Sequence, residues 1–188
     1  IGRCLESVRW ADEILVVDGE STDRTVEICR AFGAKVIVHP FSGSFAEERN
    51  LGADAASGEW ILQLDADEAL SQALFSEIKS VLNAPQPHAG YWMPRSNNFL
   101  GRFLKKGGQY PDLTLRLYKK SQGFLPAVDV HEQARVKGSV GYLKNDLLHY
   151  GTPDFENYLT RFNILPVFNR NIYNFYMLYH CHLLYFHF

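Results

Sequence analysis

Two short apolar runs in this chain each stop at an aspartate. "EILVVDGESTD" carries Ile14 to Val17 into Asp18, and "EWILQLDADE" carries Trp60 to Leu64 into Asp65. Largely apolar runs of this length, the second interrupted only by Gln63, suit strands covered on both faces, as in the interior of an α/β sheet. Between the runs, Val26, Cys29 and Phe32 share one helical face, Gly33 supplies a stop, and "AKVIVH" returns as a strand. That is a βαβ unit, and a right-handed connection would bring Asp18 and the Asp65 cluster to one edge of the sheet.

The remaining periodicity extends the same architecture. Ile1, Cys4, Leu5 and Val8 have the spacing of a helix already under way, so a preceding segment is expected. Ser44 followed by Glu47 fits a capping box for a helix running to about Ala56. Leu74, Phe75, Ile78, Val81 and Leu82 mark another helix, ended by "APQP". From Tyr91 the period becomes strand-like: Leu113, Leu115 and Leu117 alternate with Thr114, Arg116 and Tyr118, and short runs follow at 134–136, 140–143 and 147–149. Thr152, Pro153 and Asp154 open a last helix toward Phe162.

With 188 residues, 46% hydrophobic and 21% charged, the chain can bury a core of its own. One domain over 1–163 is expected, with halves at 1–88 and 89–163, followed by an atypical tail at 164–188 that is rich in aromatics and uncharged after Arg170. A net charge of −2 gives no basic field for nucleic acid. The three cysteines, Cys4, Cys29 and Cys181, match neither a disulfide framework nor a metal motif, so a reducing compartment is expected. No apolar stretch reaches the 18 residues of a membrane span.

The cluster "DADE" poses an electrostatic problem, because Asp65, Asp67 and Glu68 repel one another. Ala66 is small enough for a turn to swing Asp65 and Asp67 toward one point, and a hard cation, Mg2+ or Mn2+, shared with diphosphate oxygens would cancel the repulsion. The same acids also suit a solvated turn leading into a helix. Ser21 and Asp23 fit simple N-capping of the helix that follows.

"IGRCLESVRWADEILVVDGESTDRTVEICRAFGAKVIVH", followed by "AEERNLGADAASGEWILQLDADE", resembles the family 2 inverting glycosyltransferases in order and spacing over about residues 1–150. "WMPRSNNFLGRFLKKGGQYPDLTLRLYKK", "VHE" and "LLHYG" further resemble the bacterial branch that builds lipopolysaccharide core and related surface glycans. The resemblance implies a GT-A fold, a Rossmann-like three-layer α/β/α arrangement with a mixed sheet, here without the family's first strand. It implies a nucleotide-diphosphate sugar donor, a saccharide or lipid-linked acceptor, and a cytoplasmic enzyme with peripheral contact at the inner membrane face.

On these positions the resemblance gives Asp18 to the nucleoside, with Ser21 and Asp23 shaping its pocket. Arg49 falls near base or diphosphate, unless it is a solvated helix charge. Asp65 contacts ribose and metal, and Asp67 holds the metal. His149 either joins them as a ligand or is a satisfied core residue. Glu132 is the expected general base, with Asp129 and Asp112 as its nearest competitors, and His131 reads as structural or acceptor-binding rather than catalytic. The segment 97–112 reads either as a flap whose Arg102, Lys105 and Lys106 face an anionic membrane or as an ordinary loop with solvated lysines. Without the first strand, the Asp18 strand is expected to lack a neighbour and the chain to be poorly stable. A nucleotidyltransferase and a non-catalytic sugar-nucleotide-binding remnant are the alternative readings.

Overall fold

The computed structural model describes residues 1–41, 43–126, 133–152, 154–156, 158–159 and the strand backbone of 183–187. Helix α1 (Gly2–Ser7) leads into β1 (Glu13–Asp18). Helix α2 (Thr25–Ala31) follows, and Gly33 takes the left-handed φ of 81° that lets the chain turn back into β2 (Lys35–Val38). β1 and β2 are parallel, with Asp18 level with Val38, as the βαβ reading requires.

Helix α3 (Phe45–Ala55) starts where expected: the Ser44 hydroxyl accepts from the Glu47 amide at 3.3 Å. Strand β3 (Trp60–Asp65) is buried from Trp60 to Leu64. A two-residue turn then opens β4 (Glu68–Leu70), so Glu68 begins a strand rather than the following helix. Helix α4 (Gln72–Leu82) buries Leu74 and Ile78, and its N-cap Ser71 accepts from the Leu74 amide at 3.1 Å.

The second half is the strand-rich part: β5 (Gly90–Phe99), β6 (Arg102–Phe103), β7 (Asp112–Lys119), β8 (Gly123–Phe124), β9 (Arg135–Val136), β10 (Val140–Tyr142) and β11 (Leu147–Thr152). β12 (Leu183–His187) closes the order. The main sheet runs β2-β1-β12-β3-β7-β5-β11-β4, with β6 and β10 also on β5, and β8 pairs with β9 separately. It mixes parallel pairs, β1 with β2 and β5 with β11, with antiparallel ones, β3 with β7 and β5 with β7.

Both faces of the sheet are covered. Cys4 and Leu5 of α1, Val8 just past its end, Cys29 of α2 and Leu74 and Ile78 of α4 pack with Val16, Leu62 and Leu64. On the other face Ala46 and Ala56, at the two ends of α3, pack with Leu15, Val17 and Ile61. Alternate residues of β1 and β3 thus feed opposite layers, which is why these runs are apolar on both faces, with Gln63 the exception in β3. β7 departs from half-buried alternation: Thr114 to Tyr118 are all buried, Arg116 among them.

Two expectations change at the sheet centre. The place beside β1 is not vacant, because β12 lies antiparallel between β1 and β3. The expected atypical tail therefore contributes a central strand, through which the backbone groups of β1 and β3 find partners. The helix expected from Pro153 toward Phe162 lies largely outside the described residues, as do Asp129, His131 and Glu132.

Removing residues 183–188 should leave facing edges of β1 and β3 unpaired. The expected outcome is a lower midpoint of thermal unfolding by circular dichroism and faster aggregation than for the full chain; an unchanged midpoint would show that β12 adds no stability.

Candidate functional site

β1 and β3 are each antiparallel to β12, hence parallel to one another, and Leu183 stands level with both Val17 and Asp65. Asp18 and Asp65 therefore reach the same sheet edge, two strand spacings or about 10 Å apart. Asp18 is buried, and its carboxylate accepts from the Ser21 amide at 3.0 Å and from the Ser21 hydroxyl. This ties the "DGES" turn to the strand end. Asp23 accepts from the Thr25 amide at 2.9 Å, a capping role at the start of α2.

Asp65 meets arginine on each oxygen. Arg49 of α3 donates to Oδ1 at 3.2 Å and Arg116 of β7 donates to Oδ2 at 2.7 Å. Arg49 is thus no solvated helix charge; it is only 9% exposed. Gln63, two residues earlier on the same face of β3, accepts from Arg49 Nε at 2.8 Å and Arg116 Nη1 at 3.3 Å once its amide oxygen is turned toward them.

Glu68, whose side chain is fully enclosed, completes the cluster. Its Oε2 accepts from the Asp65 amide at 3.0 Å, and its Oε1 accepts from Arg116 at 3.1 Å and Arg95 at 3.3 Å. The charge problem posed by "DADE" is therefore met by guanidinium groups, where the sequence suggested a cation. Burial raises the Asp65 carboxyl, but the Arg116 and Arg49 charges outweigh it and hold the group well below the usual carboxylate range. For Glu68 the balance reverses, since burial and the neighbouring Asp65 charge push it up beyond what Arg116 and Arg95 recover. One negative charge is secured and the second is strained.

Asp67 stands apart from this cluster, with 43% of its side chain exposed. His149 Nε2 lies 3.3 Å from its Oδ2, while Nδ1 of the same ring lies 2.6 Å from Asn97 Oδ1. Burial lowers the imidazole, but the hydrogen bond and charge of Asp67 outweigh it and leave it above its usual value. Asp112 is clamped on Oδ2 by Arg95 Nε and Nη2, at 2.9 and 2.7 Å, and by Asn97 Nδ2 at 3.1 Å. Its partial burial raises the carboxyl, yet the Asn97 and Arg95 contacts leave it below the usual range.

Of the metal ligands expected from the sequence, the structure brings Asp67 and His149 together and commits Asp65 to arginine. Among the described residues no group of three His, Cys, Asp or Glu side chains converges as a metal cage. The fit is that of a two-point site, one carboxylate and one imidazole, whose other ligands would come from water and diphosphate oxygens.

The expected flap is tied down at its base. Leu100 and Gly101 form a left-handed turn between β5 and β6, and Lys105 and Tyr110 both bond Asp146, the latter at 2.8 Å. Lys105 is thereby paired, and Arg102 and Lys106 remain exposed. No helix among the described residues is long and apolar enough to cross a membrane.

Residues 1–133 match the family described as glycosyl transferase family 2, and the chain belongs to that family. It is 44% identical over 82 residues to an uncharacterized glycosyltransferase of Rickettsia typhi, covering 43% of this chain and 28% of that protein. A longer match, 27% over 157 residues, is to the lipopolysaccharide core biosynthesis glycosyltransferase LpsC of Rhizobium meliloti, covering 80% of this chain and 58% of LpsC. The chain thus spans less than two thirds of these relatives. The crystal structure of Staphylococcus aureus TarS superposes with a TM-score of 0.59 at 16% identity, covering 88% of this chain and 60% of that one, and shows the GT-A fold.

The sequence reading missed Arg95, Asn97 and Arg116 and left Glu68 without a role. Arg116 did carry a signal, a lone cation flanked by Leu115 and Leu117 in an apolar strand, because such a charge is rarely buried without a partner.

Arg116→Met removes the guanidinium shared by two buried carboxylates, and urea denaturation should show a loss of about 3 kcal/mol; a cost under about 1 kcal/mol, the range of an exposed pair, would show that the cluster balances without it. Asp112 has a folded-state pKa depressed below its unfolded value of about 3.9, so its contribution is present above about pH 4 and lost as pH falls through the folded pKa. The stability difference between the native chain and Asp112→Asn should therefore be widest near neutrality and narrow in acid, and a gap that widens in acid would contradict this.

Proposed function

We propose that this chain transfers a sugar from a nucleotide-diphosphate donor to a saccharide or lipid-linked acceptor, with inversion and with help from Mg2+ or Mn2+. The observation that carries the reading is the gathering of Asp18, Asp65, Asp67 and His149 at one sheet edge, the crevice where open α/β sheets take ligands. Family membership supports the same chemistry, and the similarity to LpsC supports an acceptor in lipopolysaccharide core or a related surface glycan.

In this reading Asp18, with the turn it organises through Ser21 and Asp23, receives the nucleoside. Asp65, fixed by Arg49 and Arg116, faces the ribose. Asp67 and His149 would hold the cation, whose contribution there would be Lewis-acid stabilisation of the departing diphosphate. The acceptor hydroxyl attacks the anomeric carbon as the bond to the diphosphate oxygen breaks, and its proton passes to a carboxylate. Asp112 is a poor recipient, since Arg95 and Asn97 lower its proton affinity, and Glu132 is the base we assign. The exposed Arg102 and Lys106 suit an acceptor presented at an anionic membrane, with the enzyme cytoplasmic and peripheral at its inner face.

The test is a screen of nucleotide sugars for thermal stabilisation, with and without Mn2+, followed by assay of the anomer formed from the stabilising donor. At least one donor should raise the unfolding midpoint further with Mn2+, and Asp67→Ala should remove that increment. An increment that survives takes Asp67 out of the metal site, and stabilisation without turnover on any glycan acceptor would favour a binding role over catalysis.

A further inference from the structure

Asn97 makes two hydrogen bonds of opposite sense. Its Nδ2 donates to Asp112 Oδ2 at 3.1 Å, and its Oδ1 faces His149 Nδ1 at 2.6 Å. The amide cannot be turned over at no cost. Asp112 Oδ2 is held by two donors of Arg95, a guanidinium only donates, and the carboxylate is kept ionised, so it only accepts. A reversed Asn97 would set oxygen against oxygen at Asp112, and this contact, not the ring, fixes the amide, since Nδ1 of a ring protonated on Nε2 could accept from NH2.

The same sequence of constraints continues into the imidazole. With the amide oxygen toward the ring, Nδ1 must carry a proton, and in the neutral ring Nε2 then presents its lone pair. That nitrogen lies 3.3 Å from Asp67 Oδ2, itself an acceptor; both acceptors are served when the ring is charged, and in the neutral ring the single proton stays on Nδ1, where the contact to Asn97 is shorter at 2.6 Å, leaving two acceptor atoms facing each other as a cation would require. Strand register makes the arrangement compact: Asp112 stands opposite Arg95, Asn97 opposite His149, and His149 opposite Glu68. Gly151 guards the other side of the ring, since a Cβ there would lie 2.7 Å from His149 Cε1 and 2.9 Å from Nε2.

We infer that Asn97 is a positioning residue, which through the Arg95-anchored Asp112 fixes the His149 ring so that Nε2, unprotonated in the neutral ring, faces Asp67. The inference rests on the proposed role of Asp67 and His149 as a cation-holding pair. It adds why the imidazole is presented in one sense only, as a ligand nitrogen must be.

The test is nitrogen-resolved NMR of the 188-residue chain, free of metal and at a pH where its imidazoles are neutral, with the His149 signals assigned by their loss in His149→Gln. Native His149 should show a protonated Nδ1 and an unprotonated Nε2. Asn97→Leu, similar in shape and without the amide, should lose this single form and give a mixture, with Mn2+ binding weakened about 10-fold or more. A native ring protonated on Nε2 would overturn the inference even if Asn97→Leu failed to fold, and so would a native pattern retained in Asn97→Leu. Added Mn2+ separates the two readings. If it leaves native His149 unbroadened, the cation role of the pair fails, whereas the ring assignment is decided by the metal-free spectra alone.

Discussion

The site is organised around the shared use of one guanidinium by two carboxylates. Arg116 Nη2 reaches both Asp65 at 2.7 Å and Glu68 at 3.1 Å, inside a part of the sheet where an unpaired charge would be costly. Arg49 and Arg95 flank it, each taking one of the same acids. Removing charge from any member leaves its partner stranded at low dielectric, so the side chains are held in place by the cost of every alternative. The cluster is not perfectly satisfied, since Arg116 Nε is buried without a hydrogen-bond partner, but its net effect is to hold Asp65 ionised and oriented.

This separates two functions that the short motif runs together. Asp65 faces inward to arginine, while Asp67, one residue past Ala66, is close to half exposed and pairs with His149. A strand end followed by a tight turn thus ties one acid to arginines at the crevice wall and turns the next toward the imidazole. Glu68 then returns the chain to the sheet as the first residue of β4.

Much of the first half was legible from the sequence because its determinants are local. The apolar runs of β1 and β3, the stop at Gly33 and the Ser44 cap each act over a few residues, and each holds in the structure. The arginine cluster was not legible, since Arg116 lies 51 residues from Asp65 and 48 from Glu68, and which acid a buried arginine selects depends on which strands become neighbours. The same holds for Asn97 and His149, 52 residues apart and joined only through the parallel pairing of β5 and β11. The insertion of β12 beside β1 was hidden for a further reason: the aromatic composition of the tail set it apart as atypical and outside the domain, although Tyr and Phe favour strands.

Strand β3 also carries a gradient that locks its alignment. Leu62 and Leu64 enter the layer with α1, α2 and α4, while Ile61, Gln63 and Asp65 face the other way and pass from apolar through neutral polar to charged. A slip of one residue would bury an amide and a carboxylate among leucines. A slip of two would preserve the faces but carry the carboxylate a full pleat repeat, about 7 Å, away from Arg116. Both the odd and the even misalignments are therefore penalised, the first by desolvation and the second by a lost ion pair, so a strand of six residues can specify its place in the ladder without a bulge or a tight hairpin to pin it.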